Sequence, residues 1–155
     1  MVRVFSRATG ARRFVGGLFL CVALAGVTGM AHASEVEISV TGVQSARGHI
    51  RVELCTKDTF LKDNCPYQGA APATPGTTLV RIDGVPPGAY AAQVFDDDTD
   101  RGVVHANALG IPREAVGFSN DARLHAKGPR FSDAAFIVED KVARITLRLR
   151  RIFRP

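Results

Sequence analysis

From residue 35 onward the apolar residues of this chain recur at every second position, and that period constrains its fold more than any other feature. Val36, Ile38 and Val40 alternate with Glu37 and Ser39, and Ile50, Val52 and Leu54 alternate with Arg51 and Glu53. Val80 and Ile82 flank Arg81, while Tyr90, Ala92 and Val94 make a further face. Ile145, Leu147 and Leu149 alternate with Arg144, Thr146, Arg148 and Arg150, and Phe136-Ile137-Val138 is a shorter candidate. Successive side chains of an extended backbone point to opposite sides, so period two with one polar set reads as a half-buried strand. No amphipathic helix of useful length and no internal repeat interrupts the pattern. A single helical turn is expected at 112–116, with Pro112 early and Gly117 as its stop.

Turn chemistry separates the runs. The stretch from Gly42 to Gly48 has a length that suits a hairpin between the first two strands. Pro86-Pro87-Gly88 precedes the Tyr90 strand, Glu139-Asp140-Lys141 separates the last two, and the QGAAPATPGTT stretch at 68–78 reads as a connection. Six to seven short strands predict an all-β fold, an antiparallel β-sandwich of immunoglobulin or prealbumin-like kind; a small barrel gives the same pattern.

The first 33 residues stand apart. Arg3, Arg7, Arg12 and Arg13 precede an apolar run at 14–27 that is short for a membrane span, and Ala31-His32-Ala33 makes an A-x-A exit before Ser34. The three parts together read as a secretory signal peptide, removed to leave one domain at 34–155 with no membrane anchor after processing. A retained anchor is the competing reading. The leader also explains the net charge of +5: without it, 16 basic residues face 15 acidic ones. Such a near-neutral domain lacks the positive field of a nucleic-acid binder. A periplasmic or secreted location follows, and Cys55 and Cys65 then read as a disulfide closing a short polar loop. The rival reading, a metal site, has no histidine nearby.

The alternation stops at 96–130, longer than an irregular stretch usually runs in a compact domain, yet Val103, Val104, Leu109, Ile111, Val116 and Phe118 favour burial over disorder. One long ordered loop over an end of the sandwich is the expectation. It opens Phe95-Asp96-Asp97-Asp98-Thr99-Asp100-Arg101-Gly102. Carboxylates so crowded need a cation or arginines, and calcium is the obvious ion, with Asp97, Asp98 and Asp100 as candidate ligands. Neither register is clean: counted from Asp97, Gly102 takes the sixth place but Arg101 the fifth; counted from Asp96, Gly102 falls one too far. The alternative is a solvated acidic turn partly neutralised by Arg101.

Val85-Pro86-Pro87-Gly88-Ala89-Tyr90-Ala91, Asp97 with Gly102, Asn107-Ala108-Leu109-Gly110-Ile111-Pro112 with Glu114, Gly117-Phe118-Ser119-Asn120 and Phe131-Ser132-Asp133-Ala134-Ala135-Phe136 form a combination. Through it the chain resembles the bacterial exported family catalogued as domain of unknown function (DUF) 2141. The resemblance implies a sandwich similar to transthyretin-like and carboxypeptidase regulatory-like domains, and no activity. Relatives read Asp-x-Asn-x-Asn-Gly-x-x-Asp in the acidic loop; here Asp97 and Gly102 keep the pattern while Thr99, Arg101 and His105 depart from it.

Catalytic signatures are weak. Ser119, Asp121 and His125 lie close together, but Gly117-Phe118-Ser119-Asn120-Asp121 lacks the second glycine of a nucleophile elbow. His105 and His125 with Asp97 make no tight metal-ligand spacing, and His49 reads as a surface residue at a strand edge. Arg144, Arg148 and Arg150 read as a solvent-facing strip that protects an edge or meets an anionic surface. The functional expectation is a small non-catalytic exported module needing no cofactor, with a calcium-stabilised structural domain as alternative and a hydrolase behind both. It would bind an unknown protein or glycan of the cell envelope through 96–130, with Asn107, Glu114, Phe118, Ser119 and Asn120 as contact candidates.

Overall fold

The computed structural model describes residues 34–105, 107–108, 112–123 and 128–152. The expected leader at 1–33, Leu109, Gly110, Ile111 and His125 lie outside them. Among the described residues eight strands form two sheets: β1 (Ser34–Val43), β2 (His49–Cys55), β3 (Tyr67–Pro72), β4 (Gly76–Val85), β5 (Gly88–Asp97), β6 (Val116–Phe118), β7 (Ala135–Val138) and β8 (Ala143–Arg148). The order is β4-β1-β8 in one sheet and β3-β2-β5-β6 in the other, with β7 also on β5. The sandwich expectation holds, and the barrel alternative falls.

Three details differ from expectation. β1 and β2 form no hairpin, because their connection carries the chain from one sheet to the other. The 68–78 stretch is mostly strand: β3 pairs antiparallel with β2 from His49 against Pro72 to Leu54 against Tyr67, on the edge where Pro72 and the small residues are tolerated. The last strand, β8, runs parallel to β1, so the sheets are not purely antiparallel.

The period-two residues meet where predicted. Val36, Ile38, Val40, Val80, Val85, Ile50, Val52, Leu54, Ala92 and Val138 are essentially inaccessible and fill the space between the sheets. A second cluster was hidden in the sequence. On the outer face of β5, Ala91 and Phe95 are covered by Phe60, Val116, Phe118 and Ala134. Phe60 meets Phe118 and Phe131 edge-on at centroid distances of 6.0 and 5.9 Å, the arrangement that ring quadrupoles favour. β5 is therefore buried on both faces, which its nearly unbroken apolar run from Ala89 to Phe95 encodes.

The disulfide between Cys55 and Cys65 is formed, with Cα atoms 4.6 Å apart, and closes the β2–β3 connection that carries Phe60. Among the described residues no helix is long and apolar enough to cross a membrane.

Candidate functional site

The acidic segment begins where β5 leaves its sheet. The Asp97 side chain is almost wholly buried, on the outer face of the sheet. There its Oδ2 accepts from Arg51 Nε at 2.6 Å and from the Gly102 amide at 2.7 Å, while Oδ1 accepts from the Arg101 amide at 2.9 Å. Arg51 lies diagonally across the β2–β5 pair, since His49 is directly opposite Asp97 and Arg51 opposite Phe95. Burial alone would push the Asp97 carboxyl up; the Arg51 guanidinium and the two amides outweigh it and hold the group below the usual range. A calcium-like loop has thus closed around a carboxylate whose charge is balanced by an arginine.

Asp100 and Asp98 are matched in turn. Asp100 Oδ1 lies 2.5 Å from His49 Nδ1, and Asp98 Oδ2 lies 3.5 Å from an Arg47 terminal nitrogen. Basic residues at 47, 49 and 51 therefore face acids at 98, 100 and 97. Arg51 and Arg47 bring positive charge to Asp97 and Asp98, His49 brings a ring nitrogen to Asp100, and Arg101 contributes its backbone amide instead. The proposed calcium set of Asp97, Asp98 and Asp100 is not gathered around one point, because each residue turns to a different partner. The signal was present in the sequence as basic residues at every second position through Arg47, His49 and Arg51. Gly48, between the first two, has φ +64°, and a Cβ there would sit 2.0 Å from the Asp97 carbonyl oxygen. The two segments approach closely only because that position is glycine.

Beyond the acids the segment is neither one loop nor helical at 112–116. Arg113 and Glu114 form bends, and β6 begins at Val116, where pairing with Phe95 overrides the expected turn. The Glu114 carboxylate accepts from the His105 amide at 2.9 Å and lies 2.8 Å from His105 Nδ1, clasping the two sides of the excursion. Asn107 is half-buried. Val103 and Val104, between the clasp and the Asp97 cradle, stand 54% and 43% exposed.

Phe118 and Ser119 are not contact residues, as both are buried. β7 pairs with residues 88–91 of β5 and β6 with residues 93–95, so Ala92 falls in the gap between them. Ser119 fills it: its Oγ accepts from the Ala92 amide at 2.8 Å and donates to the Ala134 carbonyl at 2.5 Å. Asn120, in the left-handed region at φ 55°, donates from Nδ2 to the Ala135 carbonyl at 2.8 Å. The Gly-Phe-Ser-Asn motif splices two short strands onto one edge. Gly117 belongs to the same joint, since a Cβ there would meet the Arg148 carbonyl oxygen at 2.4 Å. Sealed from solvent, Ser119 is not placed as a nucleophile, and Asp121 is paired with Arg150. Nor do the C-terminal arginines form one free strip: Arg144 Nε is bound to Glu37 at 2.6 Å, and the Arg150 backbone bridges to Val116.

No curated protein matches this chain. Among solved structures it is similar to a pilus-presented adhesin at 13% identity and a TM-score of 0.23, covering 79% of this chain and 27% of that one. This chain thus spans about a quarter of that structure's length, and a likeness at such a score carries no argument. The family described as "Uncharacterized protein conserved in bacteria (DUF2141)" matches residues 38–146, from β1 into β8, and this chain belongs to it.

Proposed function

We propose that the protein acts outside the cytoplasm, in the periplasm or beyond the cell, as a non-catalytic module that binds an envelope protein through the 96–130 excursion. The observation that carries this reading is the exposure of Val103 and Val104, two neighbouring apolar side chains, on a segment tied at both sides. The Asp97 cradle fixes one side and the His105–Glu114 clasp the other. A segment held in place before contact loses little conformational entropy on binding, and adjacent exposed valines favour an apolar protein surface over a glycan. The disulfide fits an oxidising compartment.

A photo-crosslinking residue installed at Val103 in growing cells tests this. It should give a discrete adduct that disappears when Val104 is changed to Asp, whereas the same residue at Ile137, 65% exposed at another place, should not give it. Identical adducts at both positions, or none at Val103, would defeat the proposal.

A further inference from the structure

The outer face of the β2–β3 ribbon carries a cavity of about 260 Å³ whose wall includes Arg51, Glu53, Gln68, Ala70, Phe95 and Gly102. Strand register sets the side chains here in two rows. Ala70, Arg51 and Phe95 stand opposite one another in the first, and Gln68, Glu53 and Gln93 in the second. Neighbours within a row are about 5 Å apart, and the rows are about 7 Å apart. Arg51 and Glu53 carry opposite charges and line the same cavity, yet no ion pair joins them. Each is held by another group. Arg51 Nε is bound to Asp97, and Glu53 Oε2 accepts from Gln93 Nε2 at 2.5 Å. Gln93 is fixed in turn by the loop that the disulfide closes, since its Oε1 accepts from the Leu61 amide at 3.2 Å. Among the described residues the terminal nitrogens of Arg51, Oε1 of Glu53 and the side-chain amide of Gln68 are left without a hydrogen bond. A Cβ at Gly102 would lie 3.9 Å from Arg51 Cζ, so glycine leaves that side of the guanidinium uncovered.

We propose that this cavity binds a neutral saccharide, one ring deep. The open groups are donors on Arg51, an acceptor on Glu53 and both kinds on Gln68, so a ligand spanning them must accept at one end and donate at the other. Adjacent sugar hydroxyls do both. Charge excludes the other small polar classes. The Arg51 cation is already balanced by Asp97, while Glu53 is met only by a neutral amide, so the cavity holds an excess negative charge that opposes phosphate and carboxylate groups. An ammonium group would satisfy Glu53 but leave the Arg51 donors facing a like charge. Ala70 and Phe95 flank Arg51 with carbon surface, against which the C–H face of a sugar ring lies. Arg51 and Glu53 are held in place before the ligand arrives, so little side-chain ordering opposes binding. A single ring of about a dozen heavy atoms gives a Kd of about 1 to 10 mM. This site goes beyond the Val103–Val104 surface and uses different side chains.

The test is an NMR titration of the purified protein's backbone amides with the methyl glycosides of glucose, galactose, mannose and N-acetylglucosamine, with methyl glucuronide as the anionic comparison. At least one neutral ring should shift the Gln68, Ala70 and Gly102 amides with a Kd of about 1 to 10 mM. Ala70→Trp fills the cavity and should abolish the shifts, and Gln68→Ala should weaken binding by about 3- to 10-fold. Both positions are exposed on an edge strand, so neither variant disturbs the core. No saturable shift from any neutral ring, shifts that survive Ala70→Trp, or a glucuronide that binds more tightly than every neutral ring overturns the assignment. Crosslinking at Val103 reports a protein partner and the titration a sugar, so the two proposals fail independently.

Discussion

Arg51→Met is the most informative single change. It removes the cation from a carboxylate that is 2% exposed while leaving a side chain of similar length to cover Phe95. Breaking a buried ion pair from one side typically costs about 3 to 5 kcal/mol, because the remaining charge is stranded. Here the Arg51 side chain is 34% exposed and the Gly102 and Arg101 amides remain, so water and two donors recover part of that. A cost of about 2 to 3 kcal/mol at neutral pH follows, and Tm should fall by about 8 to 12 °C. The pH dependence supplies a second check. In the wild type the Asp97 carboxyl is held low, so its stabilisation is complete above the unfolded carboxylate pKa and is lost as pH falls through the folded one. In the variant, burial dominates and the acid protonates at higher pH, relieving the stranded charge. The gap between wild type and variant should therefore be widest near neutrality and shrink on acidification, as read from urea midpoints across pH. Arg51→Met with Asp97→Asn should recover much of the loss, the two single effects failing to add by more than about 1 kcal/mol. Strict additivity, or a gap that widens in acid, would refute the assignment of Arg51 as counter-ion to a buried carboxylate.

Three further outcomes follow from the geometry. Reduction of the Cys55–Cys65 bond should lower stability by about 2 to 3 kcal/mol, seen in melts with and without a phosphine reductant, and unreduced protein comprising residues 34–155, which lacks Cys21, should show no titratable thiol. Ser119→Ala should cost about 1 to 3 kcal/mol by orphaning the Ala92 amide, and the wild-type serine should resist fluorophosphonate labelling. Burial, then Asp98, raises the Asp96 pKa, so stability should fall as pH rises from the unfolded carboxylate pKa through that raised value. Asp96→Asn should remove this decline, as checked by melting across pH.

Much of the scaffold was legible because a strand with one buried face writes its burial directly into period two; the residues of β1, β2 and β4 predicted to face inward do so. Where an element is buried on both faces, as β5 is, the alternation is masked, and the run around Phe95 gave only half of its role. β3 was missed because an edge strand of Gln, Gly, Ala and Pro carries no hydrophobic period; its pairing comes from the neighbouring backbone of β2. The helical turn at 112–116 lost to strand pairing for a similar reason, since Ala115 and Val116 have β5 beside them.

The sequence by itself determined which residues could be strands, that two cysteines would sit close enough to pair, and that the crowded acids at 96–100 needed positive charge. It did not determine which charge. That choice required Arg47, His49 and Arg51 to be brought beside the acids by the β2–β5 register, about half the length of the domain away along the chain. Tertiary structure likewise decided that Phe118 and Ser119 turn inward to join β6 and β7, and that Asp96 and Asp97 lie on opposite faces. Residues adjacent in sequence are separated by the thickness of a sheet, and distant ones are joined across 5 Å or so of paired backbone, so the chemistry of this segment exists only after the strands have paired.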